Sequence, residues 1–485
     1  MSVRHAAVVA IVLGALEMTG GGRARAQKEA AEAGASAASA ANTGAPAVTR
    51  GPGPGGSLVI VESNRTVPLV HLVVASRSGS AADPRHREGL TNLAAEMALR
   101  GAGGKTREEL DAALDALGAT LEVETQPDET RFEGDVLARN LDAYLALLAD
   151  VLLRPTFAPD ELARTKRELV AQIEELRTDD RALCARFFTH NLFGDHPYGH
   201  PPEGLPAALE AASAAEVSAH FKRLFVGRNL VIAVGGDVDA ADVRARLARA
   251  FKGIRDLAAP PPDALELRPP VPPRGWRIQL VDKPDRQQAQ LMFGHPALRA
   301  TDPDYLPLMI GLAAFGGHGM NATLMNEVRT KRGLAYGAYM TLGERRGVGA
   351  AAGWVFSGTD KTVATLKLVL KLYVALGEWG VTTDQVAFFR NFLIGSHASD
   401  MDAPAHRMDA RVSAEIAGLP ADWVDALPAR LAAIKPAAVN AALKRHVHAH
   451  DLAITMVASA PVMKKLLVGS RIKESDVDVV PWGSY

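Results

Sequence analysis

The sequence predicts an α+β protein made of two homologous domains, each a mainly antiparallel sheet with helices packed on it. Three observations carry this expectation. The chain has 485 residues, too many for one ordinary core at ~100–200 residues per domain. Its strands come in antiparallel groups followed by helix pairs, not as a strict strand–helix alternation. The order of elements then recurs in the second half, in two copies of about 210–220 residues, which points to duplication.

Residues 1–26 have the three parts of a secretory signal. Arg4 and His5 give a short polar start, residues 6–16 an apolar run, and Ala24-Arg25-Ala26 a small-x-small cleavage site. The run is too short to span a bilayer, so the reading is a signal peptide without a stable membrane anchor, and a periplasmic or secreted protein. An organelle-targeting peptide is the alternative, because Arg4, Arg23 and Arg25 face a single acid, Glu17. Residues 27–56 are Ala, Gly, Ser, Thr and Pro without periodicity and read as a flexible linker.

The first domain is expected over residues 57–265. Strands at 57–63 and 67–80 flank a turn at Asn64-Arg65, and an amphipathic helix follows over 89–100. After a Gly-rich turn come a helix over 106–117, strands near 120–124 and 129–137, and paired helices at 140–153 and 159–177. A strand from Asn229 and a helix over 240–251 close the domain. Residues 258–273 carry prolines too densely for a helix or a central strand, and mark the boundary.

The second domain, 274–485, repeats the order. WRIQLVDKP and QAQLMFGHPA are strands, residues 305–315 a helix, and VGAAAGWVFSG a strand before another helix pair. Asp160-Glu161 opens the second helix of the first pair, and Asp384-Gln385 opens its counterpart 224 residues later. DLAITMVAS answers the strand NLVIAVGGD.

Composition narrows the function. Lys plus Arg number 54 against 55 acidic residues, a net charge of -1, which excludes a basic nucleic-acid binder. Apolar residues at 48% and charged residues at 22% exclude a disordered or fibrous chain. Cys184 stands alone, so neither a disulfide framework nor a thiolate zinc cluster is available within the chain.

The run GLTNLAAEMALRGAGGKTREELDAALDALGATLEVET (89–125) and the loop FGDHPYGHPPEG (193–204) resemble the zinc peptidases that include insulin-degrading enzyme, pitrilysin and the mitochondrial processing peptidase. The resemblance spans nearly all of residues 57–460. In active members an inverted H-x-x-E-H motif places two histidines on one helix face to grip zinc, and the glutamate activates the metal-bound water. Here the first histidine position holds Asn92, the glutamate position Ala95 and the second histidine position Glu96. The third ligand, a glutamate on a later helix, falls at Gln172, with Glu174 and Glu175 out of register. Amide oxygens are poor zinc ligands, and Ala95 cannot act as a base. His190, His196 and His200 gather at a helix end and its loop, and His446, His448 and His450 alternate in a charged turn. Neither set reads as a replacement site, so no metal is expected on this chain.

The segment FGGHGMNATLMNEVRTKRGLAYGAYM (315–340) matches a second signature of the same family. Gly316, Gly317 and Gly319 form a turn, a helix carries Leu324, Met325 and Val328 inward, and Gly333 stops it at C′ before a strand. The resemblance implies a transition-state pair of an arginine and a tyrosine seven residues apart, and Arg329 and Tyr336 have that spacing. A phenolic donor stabilises the negative charge that develops on a scissile carbonyl oxygen, and a guanidinium fork holds a peptide backbone. Arg332 and Tyr339 are set aside, one as a helix-end cation and the other as facing the opposite side of its strand. The glycine loop in such proteins lies between the halves and touches the partner or substrate.

The implied function is a non-catalytic, substrate-binding subunit of a heterodimeric zinc peptidase acting on peptides or unfolded segments. A homologous partner with intact H-x-x-E-H would carry the zinc, and this chain would supply Arg329 and Tyr336 while being inactive alone. The alternative is a catalytically inert scaffold or binding protein derived from the same fold.

Overall fold

The computed structural model describes residues 48–256, 267–317, 319–469 and 474–484; the segment read as a signal peptide lies outside them. Two six-stranded sheets organise the chain. The first contains β1 (Val48–Pro52), β2 (Leu58–Ser63), β3 (Leu69–Ser76), β4 (Glu122–Thr125), β5 (Thr130–Leu137) and β6 (Leu230–Gly236), in the order β1-β2-β6-β3-β5-β4. The second contains β7 (Trp276–Asp282), β8 (Gln288–Pro296), β9 (Gly337–Leu342), β10 (Ala350–Gly358), β11 (Leu452–Ala458) and β12 (Val477–Pro481), in the order β12-β7-β11-β8-β10-β9. Five strands therefore repeat in identical order, β2 to β6 answering β7 to β11. The parallel pair β2·β6 is matched by β7·β11, and the remaining shared pairings are antiparallel. The sixth strand differs in origin, since β1 precedes the repeat and β12 follows it.

Strand β1 corrects the linker expectation. Residues 48–52 pair antiparallel with β2, from Val48 opposite Glu62 to Pro52 opposite Leu58. Proline and glycine disguised the segment, yet an edge strand tolerates a proline that lacks an amide donor.

Eight helices belong to the first half: α1 (Leu90–Ala98), α2 (Arg107–Leu117), α3 (Leu141–Leu153), α4 (Pro159–Leu176), α5 (Asp180–Phe193), α6 (Pro206–Ala211), α7 (Ala214–Leu224) and α8 (Ala240–Ala250). The second half has α9 (Tyr305–Gly316), α10 (Thr362–Trp379), α11 (Thr383–Asp400), α12 (Pro404–Ile416), α13 (Trp423–Ala432), α14 (Pro436–His446) and α15 (Ala460–Val468). Local chemistry fixes their ends. Thr106 and Glu109 form a capping box on α2, Thr382 and Gln385 another on α11, and Gly118 ends α2 with φ 60°. One face of each sheet buries its alternate residues, such as Val70, Leu72 and Val74 or Leu291 and Phe293, against that domain's own helices.

The other face of each sheet receives a helix from the opposite domain. Helix α12 lies on β2, β3 and β6, where Met408, Val412 and Ile416 meet Ile60, Val73, Ala75, Val231 and Ala233. Helix α5 lies on β7, β8 and β11, where Leu183, Phe187 and Phe188 meet Val281, Val457 and Ala453. Asp180 and Pro404, the first residues of the two helices, stand 224 residues apart, the interval already seen between α4 and α11. A glycine admits each visitor. A Cβ on Gly235 would stand 2.7 Å from Met408 Cγ, and one on Gly294 would stand 3.1 Å from Phe188 Cζ.

Buried polar contacts tie the exchange. Glu62, fully buried on β2, accepts from Arg407 Nε at 3.0 Å with both oxygens and also from Nη2. His71 on β3 bridges Asp135 at 3.0 Å and Asp409 of α12 at 3.2 Å. Lys283 on the second sheet's side donates to Asp180 at the start of α5 at 2.6 Å. The loop resembling the peptidases also joins the halves: Tyr198 donates to Asp128 at 2.5 Å and accepts from the Gly347 amide at 2.9 Å.

Candidate functional site

The degenerate metal positions lie on α1 and α4, which pack together. Asn92 is half-buried, Ala95 is completely buried in the core, and Gln172 is exposed on α4. Glu96 is already engaged. Arg100 binds it at 3.2 Å across one helical turn and reaches Glu168 of α4, also at 3.2 Å. Glu168 further meets Arg107 at 3.6 Å and Arg164 at 3.0 Å, and this cationic company holds its carboxyl below the usual range despite burial. A guanidinium thus links the two helices where the resemblance would put zinc. One amide, one paired carboxylate and one exposed amide do not make a zinc donor set, and no step through a metal on this chain follows.

Helix α1 itself is held firmly by residues that the sequence reading missed. Buried Asp83 accepts from the Gly89 amide at 2.7 Å, the Thr91 amide at 2.7 Å and the Thr91 hydroxyl at 2.6 Å. That hydroxyl lies 2.8 Å from His220 Nε2. Burial pushes the His220 pKa down to about 3, so its imidazole is neutral. With Arg223 donating to Nδ1 at 3.1 Å, Nε2 carries the proton and donates to Thr91. The arrangement resembles a hydrolytic triad in residue types, but its hydroxyl is committed to a helix N-terminus. No local signal joins Asp83 to His220, because the contact spans a whole domain.

His196 and His200 bind backbone groups, whereas His446 binds a carboxylate. His196 Nε2 meets the Arg268 carbonyl at 2.8 Å while its Nδ1 accepts from the Tyr198 amide. His200 Nδ1 lies 3.3 Å from the Pro201 carbonyl. His446 ends α14 and lies 2.8 Å from Asp304, which also binds Arg445 at 2.7 Å. Asp302, Asp304 and His446 are the single set of carboxylate and imidazole groups close enough to share an ion among the described residues. Arg445 already neutralises it.

The Arg329–Tyr336 segment is built differently. Met325–Thr330 forms a π-helical turn, with the Lys331 amide donating to the Asn326 carbonyl at 2.9 Å. Such turns are rare and recur at functional sites. Met325 and Val328 anchor it in the core and Gly333, at φ 56°, ends it as expected. Glu327 gathers both neighbouring cations, Lys331 at 2.6 Å and Arg332 through its side chain. Arg329 is exposed and, among the described residues, its guanidinium has no hydrogen-bond or ion-pair partner, although its carbonyl accepts from the Gly333 amide at 2.9 Å. Tyr336 is 62% exposed, with its ring 5.4 Å from Phe356 and its hydroxyl unbonded. Both functional groups of the expected pair are therefore free of structural duties.

The glycine loop divides into parts. Gly316 is packed, since a Cβ there would stand 2.7 Å from Met340, and Gly317 closes α9 on the Ala313 carbonyl at 2.8 Å. Gly319, at φ 108°, has open space around it.

Tyr339 corrects the sequence reading. It stacks on Trp354 at 5.5 Å, and Trp354 stacks on Phe356 at 6.4 Å, so Tyr336 and Tyr339 join one aromatic row. This row lies on β9 and β10, beside the strands β7, β8 and β11 on which α5 packs. Strict alternation along β10 gives half-buried Trp354 and Phe356 on this face, and buried Val355 and Ser357 on the other.

Comparison with known proteins agrees with the geometry. A family model for insulinase, peptidase family M16, matches residues 58–204, and one for the peptidase M16 inactive domain matches residues 211–391. An uncharacterized zinc protease of Streptomyces coelicolor is 25% identical over 392 residues, 80% of this chain and 84% of its own. The non-peptidase homolog YmxG of Helicobacter pylori is 22% identical over 405 residues, 83% of this chain and 91% of its own. A Pseudomonas fluorescens structure described as a peptidase M16 inactive domain shares the fold with a TM-score of 0.78 at 24% identity, over 85% of this chain and 97% of its own. The periplasmic protease PqqL of Escherichia coli shares it with a TM-score of 0.71 at 13% identity, over 88% of this chain but 49% of PqqL.

Proposed function

We propose, from the premise that this chain belongs to the insulinase-like peptidase family M16, that it is the non-catalytic, substrate-binding subunit of a two-chain zinc peptidase. One contrast carries the reading. The metal positions are Asn92, Ala95, Glu96 and Gln172, with Glu96 locked to Arg100, whereas the exposed Arg329 and Tyr336 side chains have no polar partner among the described residues. Residues without a structural task that sit on a π-helical turn and beside a sheet edge are suited to a ligand.

In this scheme a homologous partner with intact H-x-x-E-H holds zinc and activates water. Arg329 binds the backbone of an extended peptide through its planar fork, and the Tyr336 hydroxyl donates to the oxygen that becomes negative as the scissile carbonyl is attacked. Peptides and unfolded segments are the substrate class, because an extended backbone must expose its carbonyls to both groups. A signal at residues 1–26 would deliver the subunit to the periplasm or medium, and the amino terminus of exported protein should then be Gln27 by N-terminal sequencing.

The deciding experiment is co-expression with a motif-bearing homologue. The complex should cleave peptides that neither chain cleaves alone, with metal analysis finding zinc on the partner and none in stoichiometric amount on this chain. Tyr336→Phe should lower turnover ~10²–10³-fold. The name of the relative YmxG, a non-peptidase homolog, favours a second reading as an inert scaffold. Turnover unchanged by Tyr336→Phe would select it.

A further inference from the structure

The aromatic row on β9 and β10 carries a feature that the Arg329–Tyr336 pair does not account for. Arg181, in the first turn of α5, places its guanidinium carbon 4.1 Å from the centre of the Trp354 ring. Among the described residues this guanidinium makes no hydrogen bond and no ion pair. Its acidic neighbours are engaged elsewhere. Asp179 caps α5 through the Arg181 and Ala182 amides at 2.8 Å each, and Asp180 binds Lys283 at 2.6 Å and Arg286 at 3.0 Å. Arg181 is half-buried, and that burial lowers its pKa against the opposing pull of Asp179 and Tyr339. A half-buried cation with a carboxylate near it but none bonded to its guanidinium has donors left for a ligand.

The surroundings specify more than charge. Trp354 is parallel to Tyr339 within 8° and to Phe356 within 5°, which gives a rigid ladder of rings standing on the sheet. The Trp354 indole is held from the adjacent strand β8, its Nε1 donating to Gln290 Oε1 at 2.8 Å. Rings held this way offer apolar contact with little conformational entropy left to lose. The ladder begins at Tyr336 and leads to Arg181, so a peptide whose backbone lies at Tyr336 would pass its neighbouring side chains along the rings toward the guanidinium.

We propose that Arg181 and the ladder of Tyr339, Trp354 and Phe356 form a subsite for a peptide bearing an aromatic side chain next to a carboxylate. The aromatic group packs along the ring edges of the ladder and the carboxylate pairs with the Arg181 fork, which still stacks on Trp354. An acidic side chain and a peptide's terminal carboxylate both supply that chemistry. The subsite rests on the reading of this chain as a peptide-binding subunit, but it requires neither the partner nor zinc.

The test is therefore direct binding to the full chain by isothermal titration, with short peptides as probes. A Phe-Asp peptide with both ends blocked and a Phe peptide with a free C-terminus distinguish the two carboxylate sources. At least one should bind at least about tenfold more tightly than its Asn or amidated analogue and its Ala-for-Phe analogue, the scale expected for a charge-assisted bond. Arg181→Gln should erase the preference for the carboxylate, and Trp354→Leu the preference for Phe, each by about tenfold. Arg181→Glu should reverse the first preference toward a Phe-Lys peptide, which a merely unfolded variant would not do. Equal binding of charged and neutral peptides by the unmodified chain, or a carboxylate preference that survives Arg181→Gln, overturns the subsite. Turnover unchanged by Tyr336→Phe would bear only on the subunit reading, so the two failures are separable.

Discussion

Glu62 shows how much a single pairing carries in this molecule. Its carboxylate is fully buried beneath α12, and Arg407 is its partner across the domain exchange. Arg407→Ala would leave a buried charge uncompensated, a situation that costs ~3–5 kcal/mol. Urea unfolding should show that loss, and an unchanged midpoint would mean that Glu62 finds water or another donor. At this scale the sequence was legible where chemistry is local. The failed zinc motif at Asn92, Ala95 and Glu96 can be read by inspection, and so can the Arg329 and Tyr336 spacing. Tyr339 was misplaced because strand alternation starts at Gly337, so parity counted from Tyr336 does not hold. Arg100 and Arg181 were invisible as site residues because their partners, Glu168 and Trp354, come from other elements.

Among elements, α12 on the first sheet should behave as a pH-sensitive contact. Burial lowers the His71 pKa, but its bonds to Asp135 and Asp409 more than offset this and lift it to about 10. Burial and the nearby Asp409 raise Glu133 to about 7, against the pull of Arg131 and His71. Both groups hold protons more tightly folded than unfolded, so stability must fall as pH rises. Glu133 contributes this between about 4.5 and 7, and His71 is fully stabilising below 6.5 and loses its effect as pH climbs toward about 10. Denaturation midpoints should decline from pH 6.5 to 9, and His71→Asn should flatten that decline; parallel slopes would place the alkaline sensitivity elsewhere. Most elements were readable from periodicity and capping, α2 and α11 especially. The destination of α5 and α12 was not, because an amphipathic helix records that it has an apolar face but not which sheet receives it. Strand β1 escaped for another reason, its glycines and prolines having the composition of a linker.

For the whole molecule, the chain shares its fold with PqqL over about half of that protein's length. The two helices on which the resemblance would put zinc are joined by the Arg100 ion pairs, and the Arg329 and Tyr336 side chains are exposed. Among the described residues no helix is long and apolar enough to cross a membrane. The exchanged helices have a further consequence for how the protein can be divided. Cutting within the proline-rich segment would strand α5 on one fragment and its receiving sheet on the other, and likewise α12. Each fragment alone would expose an apolar sheet face, from Ile60 and Val73 to Ala233 in one case and from Val281 to Val457 in the other, and should aggregate. Produced together, fragments 48–256 and 267–484 should find each other and co-purify as one folded species. Two soluble fragments that elute separately would show that the exchange is dispensable. By that criterion the peptide link between the domains is incidental, and each half is the other's folding partner.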